Sequence, residues 1–539
     1  MPSKSEPDNI EHGSSVTIED TDLKKKNIRD YDVALSFAVD SNSTDWTEAE
    51  ERKILWKIDA VILTLLFVGA VVSYADTQAY GFAALFGLVK DFKLFVIKII
   101  GGKAIVDTTK YQLSAGMNAL GAAAVRNFWT TVQEKCTQSI QGQYPLLLLA
   151  QHLPAGRFYG VIITYMGLAA ILVIVCQDFA GIATLRFFTG FAVVSQPLSV
   201  IITSMWWQNK EQPLRVGIFI SGTAIGSLAG QGIDLGAVHL SGAYATSPWK
   251  WIYVILGSVT IGFGIFTALV FPANPMNAWF LTAREKEIAV RRLAQNNTGI
   301  QTHKFKWKQV KEAFMDPQLY IFGVYSFTFA FVNNAIGSFG GFLVSSFGYS
   351  NTRALVLSMP ASAVAIISMV SSGMFGTFFP RRRILIAILY LLPAMAGNII
   401  MWKSDRSSKG ALLAGLYIST TLYGALVQEF ALLSSNVGGH TKKTVINATI
   451  FALANLGGFS GPWAYKGDEA SRGYPTGQIT TMSLFCASVG CFVLLWIYYI
   501  HCNKRKALLR EQHPELTTDP NVAFADLTDQ TNPVFQYVC

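Results

Sequence analysis

Charged residues are scarce in this chain. Asp, Glu, Lys and Arg make up 14% of its 539 residues, whereas hydrophobic residues make up 51% and aromatic residues 13%. A soluble domain carries roughly one quarter charged residues, so this composition excludes an ordinary water-soluble core. The sequence predicts an integral membrane protein, for which the lipid bilayer is the solvent.

Cysteines and catalytic motifs are also few. The six cysteines show neither paired spacing nor a C-x-x-C motif, and most lie in or beside apolar stretches. This pattern predicts no disulfide framework and no metal site. The chain has no Walker loop, no H-E-x-x-H motif and no G-x-S-x-G motif. We therefore expect no cofactor, no ATP-driven pumping and no enzymatic catalysis.

The N-terminal region lacks the apolar run of a cleavable signal, and its polar composition predicts a disordered tail. The formal net charge of +9 could suggest nucleic acid. The Lys and Arg residues, however, lie in segments that flank apolar stretches, where such residues set membrane orientation. We expect no nucleic-acid partner.

Long apolar stretches dominate the rest of the sequence, and most are long enough to cross a hydrocarbon layer of ~30 Å as a helix. They form two sets separated by a charged segment. This pattern predicts an all-α membrane protein of the transporter type, with 12 transmembrane helices in two six-helix bundles. The predicted spans lie near residues 58–76, 112–153, 158–176, 181–206, 216–240, 250–271, 319–344, 354–378, 384–402, 411–433, 445–464 and 479–500.

The predicted organisation has five parts. They are a disordered cytosolic tail (1–52), an N-terminal six-helix bundle (53–272), cytosolic linker helices (273–318), a C-terminal six-helix bundle (319–502) and a cytosolic C-terminal tail (503–539). Lys and Arg are concentrated in the linker and at the start of the C-terminal tail, which places both segments in the cytosol. An even number of spans then places the N-terminus there too.

The second span is interrupted. Gln112–Gly121 and Gln143–Pro154 would join into one normal span, but charged residues stand between them. Because charge is costly in lipid, we expect the inserted segment to loop out or the span to shift. Val125–Gln141 has a length that corresponds to an in-frame intron, and its first and last residues can be encoded by codons that spell GT…AG intron boundaries. We hypothesise that it is an unremoved intron.

Four strings resemble the allantoate permease group, the anion:cation symporters of the major facilitator superfamily. They are Ser204–Gly222 (SMWWQNKEQPLRVGIFISG), Asn274–Gly299, Phe347–Pro360 (FGYSNTRALVLSMP) and Ser434–Trp463. The resemblance implies twelve helices, alternating access by rocking of the two halves, and proton-coupled uptake of a small carboxylate at the plasma membrane. Allantoate, nicotinate, pantothenate and biotin are examples of such solutes.

Two acids are candidates for proton coupling, because a carrier of protons needs an intramembrane group whose charge can change. Asp76 lies near the outer end of the first span, and Glu429 lies deep in the tenth. Asp76 could equally be a hydrated helix-end residue. Glu429 could equally be an acid at the inner end of its span, near Lys442 and Lys443.

Arg186, in the fourth span, is the candidate partner of an anionic substrate, because a guanidinium in the membrane should meet a carboxylate. The alternative is that it snorkels to the interface. Members of the family usually carry a Glu one or two turns later, whereas Gly190–Pro197 contains no acid. This difference puts conventional proton coupling in question.

Amide side chains in the apolar spans could bind the substrate or join helices together. The candidates for substrate binding are Asn333, Asn334, Asn447 and Asn455, and Gln231 and Asp234 offer further hydrogen-bonding groups. Two glycine ridges, at residues 222–230 and 457–461, predict close helix approach, either as sliding surfaces or as static packing.

The sequence thus predicts a monomeric permease in the lipid bilayer that imports a small organic anion together with protons. Two alternatives stay open. One is an exporter of an acidic secondary metabolite, suggested by the missing acid in the fourth span. The other is a non-transporting or defective family member, suggested by the interrupted second span.

Overall fold

The computed structural model describes residues 46–100, 103–136, 155–208, 211–240, 244, 247–294, 306–405, 407–512, 528–532 and 535–539. Nearly all of these residues are helical. A helix satisfies its own backbone N–H and C=O groups, which lipid cannot do. Residues 1–45, most of the tail that we predict to be disordered, lie outside the described residues.

Eight helices occupy the N-terminal part of the described chain. The first begins at a capping box, in which Thr47 and Glu50 satisfy each other's backbone N–H groups. It contains two π-helical turns, Asp59–Leu63 and Ala84–Leu88. The helices are α1 (Glu48–Asp91), α2 (Thr109–Cys136), α3 (Ala155–Val175), α4 (Phe179–Thr189), α5 (Ser195–Trp206), α6 (Gln212–Ala237), α7 (Trp249–Val270) and α8 (Ala283–Ala294).

Eight more helices follow. Asp316 caps the second of these, and Pro317 occupies its first turn, where the missing N–H costs nothing. The helices are α9 (Trp307–Met315), α10 (Pro317–Ser346), α11 (Asn351–Phe378), α12 (Arg383–Lys403), α13 (Lys409–Ser419), α14 (Leu422–Asn436), α15 (His440–Ser460) and α16 (Pro475–Gln512).

The predicted spans correspond to helices. In the described part of the chain, 9 helical segments are long and apolar enough to cross a membrane. Two of the three other predicted spans coincide with α15 and with α4 and α5, which a 3₁₀ turn at Gly190–Val194 joins. The predicted span 112–153 begins in α2, and its residues 137–153 lie outside the described residues. The prediction of an all-α protein with membrane-spanning helices therefore agrees with the structure. The domain boundaries at 52, 272, 318 and 502 stay predictions.

A β-hairpin follows α1. Strand β1 (Val96–Ile100) pairs antiparallel with β2 (Lys103–Asp107), so that Val96 lies opposite Asp107. We call the end of the molecule that carries this hairpin the hairpin end, and the opposite end, at which α8 and α9 lie, the linker end.

The interrupted second span forms a continuous helix as far as the structure describes it. Helix α2 runs for 28 residues and includes residues 125–136 of the suspected insertion. At 1.5 Å per residue it is about 42 Å long, which exceeds a hydrocarbon layer of ~30 Å. Residues 137–154 lie outside the described residues, and the intron hypothesis stays a prediction.

The glycine ridge of α6 packs within the N-terminal half, whereas the ridge of α15 packs on α10 of its own half and, at Gly458, on Ala119 of α2 in the other half. A Cβ atom on Gly226 of α6 would come within 2.3 Å of the Val71 carbonyl oxygen in α1. A Cβ atom on Gly457 of α15 would come within 2.2 Å of the Phe327 carbonyl oxygen in α10. Both ridges therefore allow close helix approach, and the choice between sliding surfaces and static packing stays a prediction.

The hydrophobic core is divided at one end and continuous at the other. A cluster that includes Tyr80, Tyr111, Phe339 and Tyr465 joins both halves at the hairpin end. Toward the linker end, the described residues form one cluster from residues 54–289 and a separate one from residues 313–537. The halves thus share one apolar core at the hairpin end and have separate apolar cores toward the linker end.

Candidate functional site

A cavity with a volume of about 100 Å³ lies between the two halves. Helices α1 and α6 line it from one half, and α10, α11, α13 and α14 line it from the other. None of the described residues that line it is charged. Its polar lining residues are Tyr74, Gln78, Thr223, Ser227, Gln231, Asn333, Ser358, Ser362, Thr420 and Tyr423.

Hydrogen bonds join the two halves across one wall of this cavity. The Gln231 Nε2 atom donates to the Ser362 Oγ atom at 3.0 Å, and the Ser227 and Ser362 hydroxyl groups are 3.2 Å apart. Gln231 and Ser227 lie on α6, whereas Ser362 lies on α11. These hydrogen bonds between α6 and α11 must break if the halves move relative to each other.

Further hydrogen bonds close the hairpin end. The Tyr111 hydroxyl donates to the Ser338 carbonyl at 2.6 Å, and the Gln112 Nε2 atom donates to the Tyr465 carbonyl at 2.8 Å. The Asn351 Nδ2 atom donates to the Leu85 carbonyl at 2.8 Å. Together with the shared aromatic cluster, these bonds form a closed gate on the hairpin side of the cavity.

Arg186 lies behind the cavity wall, inside the N-terminal half. Its Nε atom donates to the Ser114 carbonyl at 2.9 Å, and its guanidinium carbon lies 3.8 Å from the centroid of the Tyr80 ring. It also interacts electrostatically with Asp76. Among the described residues it forms no direct ion pair with a carboxylate, so backbone carbonyls and a cation–π contact hold the guanidinium.

Asp76 and Asp234 form a buried acid pair. Their exposed fractions are 9% and 1%, and the Oδ1 atom of each has no hydrogen-bond partner among the described residues. They interact electrostatically with each other. Tyr74 and Gln78 line the cavity, and Asp76 lies two residues from each of them along α1. Because each residue of a helix turns by about 100°, Asp76 points to the side of α1 that faces away from the cavity.

Glu429 occupies a different environment. Its carboxylate accepts a hydrogen bond from the Ser326 hydroxyl, and the residue is 1% exposed. Tyr325 and Cys491 lie within electrostatic range. Glu429 is therefore packed inside the C-terminal half, and it is not among the described residues that line the cavity. Lys442, which the sequence suggested as a neighbour, pairs with other acids.

The structure separates the four asparagine candidates. Asn333 lines the cavity, and its Oδ1 atom accepts a hydrogen bond of 2.5 Å from the Tyr423 hydroxyl. Asn334 donates to the Ala330 carbonyl of its own helix. Asn334, Asn447 and Asn455 are not among the described lining residues. Substrate contact by any of the four stays a prediction.

Ion pairs fasten α8 to the linker end of the N-terminal half. Lys57 lies 2.7 Å from Glu285, and the buried Arg292 lies 3.2 Å from Glu51 and pairs also with Glu211. Burial alone would raise the pKa of Glu285, but hydrogen bonds from Lys57 and Thr282 outweigh it and lower this pKa. Burial lowers the pKa of Arg292, and the two acids beside Arg292 oppose that shift.

A buried cluster of charges holds the linker end of the C-terminal half. The fully buried Lys442 Nζ atom lies 3.0 Å from Glu312, 2.6 Å from Asp316 and 2.8 Å from Asp529. These acids come from α9, from the cap of α10 and from the C-terminal segment 528–539. One ammonium group thus joins three parts of the chain.

The C-terminal segment makes further contacts with this half. Asn436 and Val538 exchange two hydrogen bonds of 2.8 and 2.7 Å. Tyr537 stacks on Tyr499 with the ring centroids 5.2 Å apart. The last residues of the predicted cytosolic tail are therefore docked on the helices.

Sequence reasoning missed several residues of the site. Gln78, Ser362 and Tyr423 line the cavity, and Tyr80 holds Arg186. Tyr74 and Gln78 are polar residues one turn apart in an apolar span, a spacing that could have indicated a cavity face. Single Ser and Tyr residues are too common in membrane helices to give such a signal.

The model of the Major Facilitator Superfamily matches residues 66–462. The "Uncharacterized transporter C460.05" of Schizosaccharomyces pombe is 30% identical over 96% of this chain and 92% of its own length. The allantoate permease of Saccharomyces cerevisiae is 26% identical over 94% of this chain and 90% of its own length.

Solved structures support the same fold. One is a bacterial homologue of the human lysosomal transporter Spinster, in an inward-facing and unoccupied conformation. It has a TM-score of 0.58 and 13% identity, and the match covers 83% of this chain and 96% of that one. At this identity the likeness concerns the fold alone. The chain belongs to the Major Facilitator Superfamily and is a multi-pass membrane protein, a secondary transporter related to allantoate permease.

Proposed function

We propose that the protein imports a small organic anion together with protons, by alternating access across the plasma membrane. The observation that carries this proposal is the acid pair of Asp76 and Asp234 beside a cavity between the two halves. The allantoate permease of Saccharomyces cerevisiae, one of the relatives, is named for a solute that carries a carboxylate.

In this proposal the linker end and both termini face the cytosol, because the linker is rich in Lys and Arg. We assign the structure to the state open to the cytosol, because the halves share a core at the hairpin end and have separate cores toward the linker end. Uptake requires the gate at the hairpin end to open and admit the solute and a proton. Rocking of the two halves then exposes both to the cytosol.

Asp76 is the proposed proton carrier. A buried carboxylate with an unpartnered oxygen is costly when ionised, and a second carboxylate nearby makes simultaneous ionisation of both costlier still. Arg186, which lies within electrostatic range, provides the positive charge that offsets an ionised Asp76. Direct contact between Arg186 and a substrate anion requires a state other than the one described.

The test is uptake of labelled allantoate, nicotinate, pantothenate and biotin into transporter-deficient cells, with and without a protonophore. We expect uptake of at least one solute, its loss with the protonophore, and its loss in Asp76→Asn. Glu429→Gln should retain protonophore-sensitive uptake, because Glu429 is hydrogen-bonded within one half. The exposed Asp405→Asn is the control.

The same assay tests the insertion by deletion of residues 125–141. If neither the full-length protein nor the deletion variant takes up any of the solutes, although both are present at the cell surface, the import proposal is overturned. Protonophore-sensitive uptake that survives in Asp76→Asn but disappears in Glu429→Gln would transfer the proton site to Glu429.

A further inference from the structure

The cavity between the halves has an uncharged wall. Its described polar lining residues carry hydroxyl and amide groups, and the charged groups nearest to it, Asp76, Asp234 and Arg186, interact with one another behind the wall. A carboxylate moved from water to such a place is stable only with a cation or several donors beside it. An uncharged polar group needs only matched hydrogen bonds.

Gln231 supplies an unused acceptor at this wall. Its Nε2 atom donates to Ser362 at 3.0 Å and to Ser227 at 3.3 Å. Its Oε1 atom is buried and has no partner among the described residues, and the residue is 5% exposed. A buried acceptor without a donor is rare in folded proteins and marks a place where a ligand donor can bind.

The opposite side of the cavity has its own hydrogen bonds. The Tyr423 hydroxyl donates to the Asn333 Oδ1 atom at 2.5 Å. These two residues belong to the C-terminal half, whereas Gln231 belongs to the N-terminal half. A solute between them would touch both halves, as transport by rocking requires.

We propose that the cavity recognises an uncharged, hydrogen-bond-donating group of its solute, such as an amide N–H, and that the Gln231 Oε1 atom accepts this hydrogen bond. Gln231 is then a specificity-determining residue, and the carboxylate of the proposed anion contributes little to binding in this state. This inference rests on the proposed function in that it takes the cavity to be the solute site.

The test is the melting temperature of the purified full-length protein in detergent with matched neutral and carboxylate probes. The pairs are nicotinamide with nicotinate, panthenol with pantothenate, and biotinamide with biotin. We expect at least one neutral probe to raise the melting temperature as much as its carboxylate partner at equal concentration. Stabilisation by the carboxylates alone, or by no probe, would overturn the inference.

Gln231→Leu keeps a similar volume and removes both the acceptor and the Nε2 donor to Ser362 and Ser227. It should weaken binding of the neutral probe about tenfold. Gln177→Leu, at an exposed amide outside the cavity, should leave binding unchanged. Equal stabilisation of the Gln231→Leu variant and the wild type would also overturn the inference. Binding without uptake would leave this inference intact while import fails, so the two proposals fail separately.

Discussion

Glu285 shows how much a single side chain at the linker end contributes to the stability of the fold. It ties α8 to Lys57 of α1 through a contact of 2.7 Å, and its pKa is lowered in the folded protein. A lowered carboxylate pKa adds stability that is fully present above the unfolded value and is lost as the pH falls through the folded value. The contribution is therefore present at pH 7 and disappears in acid.

Glu285→Gln should lower the stability at pH 7 by at most about 1 kcal/mol, because Lys57 is partly exposed. The difference between variant and wild type should shrink as the pH falls below the ordinary glutamate pKa of about 4.3, and it should vanish only below the lowered pKa of the folded protein. Melting temperatures measured from pH 7 downward test this. Glu48→Gln, which removes a 90% exposed partner of Arg52, is the control and should have no effect. A stability difference between Glu285→Gln and the wild type that stays the same at low pH would show that the ion pair with Lys57 is not its cause.

The sequence located the candidate residues but not their surroundings. Asp76 and Glu429 are both acids in apolar runs, and periodicity alone cannot distinguish them. Their environments differ because Ser326 of α10 lies against Glu429, whereas Asp234 of α6 lies near Asp76. Such contacts depend on the packing of helices far apart in sequence. Arg186 is held by α2 for the same reason.

Individual helices were more predictable than the connections between them. Apolar length and flanking charge located the spans, because the bilayer constrains both. The hairpin β1–β2 was not predicted, although its first strand reads Val-Ile-Lys-Ile-Ile and Gly101-Gly102 stands between the strands. Glycine pairs between β-branched runs indicate such hairpins.

The charge cluster around Lys442 joins α9, α10, α15 and the C-terminal segment. Lys442→Met leaves Glu312, Asp316 and Asp529 without their shared cation, so it should destabilise the protein by about 3–5 kcal/mol. The melting temperature in detergent measures this.

Two further variants serve as controls for the Lys442 prediction. Lys443→Met removes a lysine that contacts only the Ser434 carbonyl at 3.1 Å among its described contacts, and it should cost far less. Adding Asp529→Asn to Lys442→Met should restore part of the stability, because it removes one of the unpaired charges. Equal loss in Lys442→Met and Lys443→Met would show that the cluster contributes little.

The whole molecule works only if the gate at the hairpin end can both close and open. Closure brings α1 against α10 so tightly that a Cβ atom on Gly81 would lie 2.4 Å from the Gly337 carbonyl oxygen. Gly81→Ala should therefore hinder closure, slow uptake and favour the state open at the hairpin end. Gly262→Ala is the control, because nothing lies within 4 Å of its added Cβ atom.

The measurement for the Gly81→Ala prediction is labelling of a Ser358→Cys cavity residue in intact cells by a membrane-impermeant maleimide. The Gly81→Ala background should label faster than the Gly262→Ala background. Each background without Ser358→Cys corrects for the native cysteines. Identical labelling rates in the two backgrounds would contradict the proposed gate.

The glycine ridge of α6 has a consequence for energy coupling. Gly226 and Gly230 press α6 against Val71 and Ala75 of α1, the helix that also carries Asp76, and Asp234 follows Gly230 by one turn. We expect helices in such close backbone contact to move as one body. In the proposed cycle the two acids would then keep a constant separation, so that rocking would alter their access to water while their mutual repulsion stays fixed.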